Sequence, residues 1–123
     1  MATLTVYEVQ FGVGGCLHYG VFIKLKDNGD GQLMDVRGSV NAGGNLVYKC
    51  GSQQLERFDI ANVKGVINED QINVLENLCR GIPPPDSQYV SGTEETYNPA
   101  CRCSEWNTRV WSAISDAKIL SAQ

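Results

Sequence analysis

The sequence predicts a single α+β domain. Three observations predict it. The first two-thirds of the chain is rich in β-branched and aromatic residues, set between Gly- and Asn-rich turns. The last third carries apolar residues at helical spacing. The length, 123 residues, suits one core and leaves no room for two. Strands first and helices after point to an antiparallel sheet with segregated helices, not to a parallel α/β sheet.

The elements follow in order. Residues 3–10 (TLTVYEVQ) read as the first strand, and Gly12, Gly14 and Gly15 break the chain after it. Residues 17–25 (LHYGVFIKL) read as the second strand. The stretch DNGDG at 27–31 holds both N-G and D-G hairpin signals. Residues 32–39 (QLMDVRGS) form the returning strand, and 41–45 make another Gly-rich turn. Residues 46–50 and 54–60 are expected as further strands, and 63–67 as a short one. A helix is expected over 69–80, where Ile72, Leu75, Leu78 and Cys79 share a face. Asn68 with Gln71 three residues on suggests a capping box at its start. Gly81 and the run Pro83-Pro84-Pro85 stop it. Residues 86–100 read as a long loop, which in a small domain is more often functional than incidental. The final helix is expected over 104–120, with Trp106, Val110, Ala113, Ile114 and Ala117 as its apolar stripe.

Composition removes several function classes. Hydrophobic residues make up 42% and charged residues 20%, which is ordinary globular usage and argues against disorder. No apolar run approaches the ~20 residues of a membrane-spanning helix. Ten basic residues against fourteen acidic ones give a net charge of −4 with no basic stripe. Nucleic acid is therefore not an expected partner. The first residues lack a basic start and an apolar h-region, so a cytoplasmic location is expected. Five cysteines, at 16, 50, 79, 101 and 103, are odd in number and read as mostly free thiols in a reducing compartment.

The chemistry centres on Cys103 and His18. Cys103 lies at the expected start of the last helix, three residues before Trp106. A thiol there feels the positive end of the helix dipole, which favours the reactive thiolate. His18, the sole histidine, lies in the second strand. An imidazole opposite such a helix start would complete the activation. The bland reading of a lone strand histidine is a packed or surface residue.

The stretch His18-Tyr19-Gly20-Val21-Phe22 resembles the H-[WY]-[GA]-[VI]-[YF] strand of the permuted NlpC-like cysteine hydrolases, which include the lecithin:retinol acyltransferase group. Their later helix opens with the nucleophile, and Arg102-Cys103-Ser104-Glu105-Trp106 stands at the matching place. The chain is also similar to small fungal proteins with an H-W-x-[LIF] strand and a C-Q-x-W helix start. The resemblance covers roughly residues 15–115 and rests on short motifs whose order and separation carry it. It implies a single permuted papain-like domain, an antiparallel sheet packed against a C-terminal helix that bears the nucleophile. The sequence departs from the patterns where no Asn precedes Cys103, where Ser104 stands in place of the fungal Gln, and where Tyr19 follows His18 in place of Trp.

In the acyltransferase relatives a polar side chain on the next strand orients the histidine, and the matching position is Asp35. The register of the hairpin decides whether it reaches. A tight turn on Asn28-Gly29 would set His18 opposite Ser39, with Asp35 about 13 Å along the same face. A wider loop over 25–28 would set Asp35 directly opposite His18. Ser39 is the fallback orienting residue.

The expected activity is thiol-dependent acyl transfer. Cys103 would form a thioester, His18 would act as general base, and Asp35 would orient His18. The substrate class is a small-molecule or peptide acyl donor, and no cofactor or metal is called for. Two alternatives stand. One is a non-catalytic binding module, motivated by the departures around Cys103. The other is a zinc module built from Cys16-x-His18 and Cys101-x-Cys103, whose one-residue spacings are shorter than usual. The sequence sets no oligomeric state.

Overall fold

The computed structural model describes residues 3–13, 16–37, 47–82 and 103–121. Five segments pair as strands: β1 (Thr3–Val13), β2 (Cys16–Lys24), β3 (Asp30–Arg37), β4 (Val47–Gln54) and β5 (Ile60–Asn68). A single 3-10 turn, Leu55–Arg57, joins β4 to β5. A second, Glu69–Gln71, leads into α1 (Ile72–Gly81), and α2 spans Cys103–Ala117. The strands form one antiparallel sheet of order β4-β3-β2-β1-β5.

The two-residue period of the strands sorts their side chains onto two faces. Val6, Val21, Ile23, Met34 and Val36 face the helices and pack with Leu75 and Cys79 of α1 and Trp106, Val110 and Ile114 of α2. The opposite face holds a smaller core of Val9, Phe22 and Leu33, covered in part by Phe11, Leu55 and Phe58. The capping box that the sequence suggests is present, but it opens the 3-10 turn that precedes α1: the Asn68 backbone N–H donates to Gln71 Oε1 at 2.8 Å. The α1 end is tied to α2 by Trp106, whose indole N–H donates to the Ile82 carbonyl at 3.0 Å.

Several expectations are corrected. The strand expected over 54–60 is instead the end of β4 followed by a 3-10 turn. Leu55 and Phe58, three apart, both turn back over the smaller core. The short strand expected over 63–67 is the nine-residue edge strand β5. The permuted papain-like domain is also corrected. The structure is mainly a five-stranded antiparallel sheet with two short helices, and it places the histidine strand's His18 on the face away from α2. Among the described residues no helix is long and apolar enough to cross a membrane.

Candidate functional site

The site is set by how β2 meets its neighbours. Pairing of β1 with β2 runs without a bulge from Val6↔Ile23 to Val13↔Cys16. His18, Gly20 and Phe22 therefore share one face, and Tyr19, Val21 and Ile23 share the other. On the far side, β2 pairs with β3 in the register Gly20↔Asp35. Asp35 is thus on His18's face, diagonal to it, at a backbone separation of about 7 Å. This register falls between the two that the turn sequence allowed. The hairpin loop spans residues 25–29, closed by the first residue of β3. The Asp30 carbonyl accepts from both the Leu25 and Lys26 N–H groups, at 2.8 and 3.0 Å.

Each member of this face is held by its surroundings. The His18 ring stacks on Phe11, its direct partner across β1, with centroids 5.4 Å apart and planes 19° from parallel. Phe11 rests on Phe58 in turn. The ring is half-buried, and its Nδ1 is fully covered. Asp35 is only 1% exposed, with Oδ1 fully covered. A carboxyl on a strand flanked by β2 and β4 has lost its water, so it needs charge or hydrogen-bonding partners within the protein.

Gly20 is the residue of this face that sequence reasoning passed over. A Cβ at Gly20 would lie 2.7 Å from Leu33 Cδ1, 3.1 Å from the Met34 carbonyl oxygen and 3.3 Å from Asp35 Cβ. The small residue is what lets Asp35 lie flat against β2 beside His18. The signal was present as the third position of the H-Y-G-V-F stretch. A recess of about 250 Å³ opens beside Asp35 at the β4 edge, lined by Leu33, Lys49, Gly51 and Gln53 among others.

Cys103 is the first residue of α2. The body of that helix packs on the sheet face opposite His18, through Trp106, Val110 and Ile114. The Cys103 side chain lies outside the described residues, as do the Cys16 side chain, Ser39, Cys101 and the loop over 86–100. Among the described residues no group of three or more His, Cys, Asp or Glu could hold a metal ion.

The other thiols that are described are not activated. Burial, then the nearby Glu76 carboxylate and Cys50, push the Cys79 thiol up to about 12. Burial and Glu76 also raise Cys50. Burial, with Cys50, Cys79 and Glu76 around it, raises the Tyr48 phenol. A nucleophilic cysteine needs the reverse, an electropositive setting that stabilises thiolate.

Fold and site together define a small α+β protein whose antiparallel sheet carries its helices on one face and a neighbouring histidine and aspartate on the other. The chain belongs to the DUF6540 family, a family of unknown function, whose model matches residues 6–121. No curated protein and no solved structure matches it significantly.

Proposed function

We propose that this protein is a thiol-dependent acyl-transfer enzyme acting on an amide or ester through Cys103. The observation that supports the reading is the placement of a buried carboxyl, Asp35, diagonal to His18 on one sheet face. Asp35 would hold the imidazole in one tautomer and stabilise the imidazolium. His18 would take the Cys103 thiol proton as the sulfur attacks the acyl carbon. The tetrahedral intermediate collapses as the leaving group accepts that proton from His18, and a thioester remains. Water or an acceptor amine or alcohol then attacks the thioester, gives its proton to His18, and frees the thiol. Backbone N–H groups at the start of α2 are suited to the oxyanion.

This chemistry needs the Cys103 sulfur to reach the His18 face around the end of the sheet. The packing of α2 on the other face favours a second reading, a binding module in which Cys103 is an ordinary thiol. Alkylation of each cysteine against pH, read by mass spectrometry, separates the two. The enzyme reading expects Cys103 to react fast well below the ordinary thiol pKa of about 8.5. It also expects His18→Ala to abolish that reactivity and Asp35→Asn to reduce it. A Cys103 that titrates like an ordinary thiol, or is indifferent to His18→Ala, overturns the enzyme reading and leaves the binding module.

A further inference from the structure

A second site lies on the helix side of the sheet, where β5, α2 and the segment after α2 converge. A groove of about 370 Å³ is lined there by Lys64, Trp111, Ile114, Ser115, Lys118 and Leu120. That is the size of a small-molecule pocket. Its composition is unusual for an acidic chain, with two ammonium groups and no carboxylate among these residues.

Three features mark it as built. The Trp111 indole is fixed: its N–H donates to Asn107 Oδ1 at 2.9 Å, and Asn107 Nδ2 donates to Glu8 Oε2 at 3.0 Å. Asn107 is itself buried, so this chain of hydrogen bonds from β1 holds the indole in place beside the groove. Lys64 Nζ lies over that ring, 5.5 Å from its centroid. Among the described residues neither Lys64 nor Lys118 forms an ion pair with a carboxylate. Finally, Lys118 directly follows α2 with φ +53°, the only described residue other than glycine with positive φ. Glycine or asparagine fits that position without strain. A lysine anywhere in the last helical turn would complement the helix dipole without a left-handed backbone. The left-handed turn closes α2, with the Lys118 N–H donating to the Ser115 carbonyl at 3.2 Å, and it carries the Lys118 side chain to the groove.

We propose that this groove binds a small amphipathic carboxylate. The carboxylate sits between Lys64 and Lys118, and an aromatic or short alkyl body lies against Trp111, Ile114 and Leu120. The site is separate from the His18 face and does not depend on the acyl-transfer reading.

The test uses 4-phenylbutyrate as probe, with 4-phenylbutanol and 4-phenylbutylamine as its neutral and cationic counterparts. Binding is read from the Trp111 indole N–H cross-peak in ¹H–¹⁵N spectra, assigned with Trp111→Phe. The expected result is a saturable shift with the acid and at least about fivefold weaker binding of the alcohol and amine. Lys64→Gln and Lys118→Gln should each weaken the acid by about fivefold. Lys118→Gly should raise the thermal midpoint, because it relieves the backbone, and yet weaken the acid as much as Lys118→Gln. Equal binding of acid and alcohol overturns the proposal. So do lysine variants that bind as wild type, or no saturable shift at tens of millimolar acid.

Discussion

Replacing Gly20 by alanine tests the geometry on which the His18 face depends. The new methyl would meet Leu33 Cδ1 at 2.7 Å, about 1 Å inside the preferred carbon–carbon separation. Leu33 is 2% exposed and packed against Val9 and Phe22, so its side chain cannot swing away freely. The second neighbour, the Met34 carbonyl at 3.1 Å, belongs to the β2–β3 ladder and yields only if the strands separate. Overpacking of this kind costs about 1–3 kcal/mol. Loss of glycine's unfolded-state freedom returns about 0.5–1 kcal/mol. The net expectation is a loss of about 1–2 kcal/mol, a sizeable share of a stability of about 5–15 kcal/mol. Urea denaturation should show the midpoint falling by about 1 M with the slope unchanged. Gly51→Ala is the control. Gly51 is the direct partner of Leu33 on β4, but no atom lies within 4 Å of a Cβ there. It should be neutral or gain up to about 1 kcal/mol. Because the Gly20 methyl also crowds Asp35, a catalytic Cys103 should alkylate more slowly in Gly20→Ala than in Gly51→Ala. A Gly20→Ala protein as stable as Gly51→Ala would refute the close β2–β3 approach.

Two further perturbations address the helix side. The Cys79 thiol is pushed up to about 12 against an ordinary value of 9.0. The unfolded thiol therefore loses its proton first, so stability is intact below about pH 9 and falls as pH rises toward about 12, by at most about 1.4 kcal/mol per pH unit from this group. Denaturation curves at pH 8, 9 and 10 should show a shallower decline in Cys79→Ala than in wild type, and equal slopes would refute the assignment. Trp106→Phe removes the hydrogen bond to Ile82 and part of a fully buried ring. It should cost about 1–3 kcal/mol by urea denaturation, and a neutral result would mean that α2 is not anchored there.

How far the sequence could be read differed from element to element. The DNGDG turn, the Asn68–Gln71 box and the apolar stripe through Trp106, Val110 and Ile114 are local signals, and the structure has an element at each. Residues 54–60 misled because Leu55 and Phe58 are good strand residues. Their turn exists to cover Phe22 and Phe11, which are distant in sequence. The burial of Asp35 was not legible, because a lone acidic residue in a strand gives no sign that its strand is flanked on both sides.

The sequence by itself determined the elements with strong local signals, the first hairpin, the start of the first helix and the last helix, since capping, turn chemistry and hydrophobic period act over a few residues. It also placed Cys103 at a helix start and His18 on a strand. Only the tertiary structure decided which sheet face each strand residue takes. One step of register, set here by the loop over residues 25–29, makes Asp35 a diagonal neighbour of His18 rather than a distant or direct one. The same packing put α2 on the face opposite His18 and brought Lys64, Trp111 and Lys118 to one groove. Those relations join residues tens of positions apart, and they follow from the burial of whole faces, which no local pattern encodes.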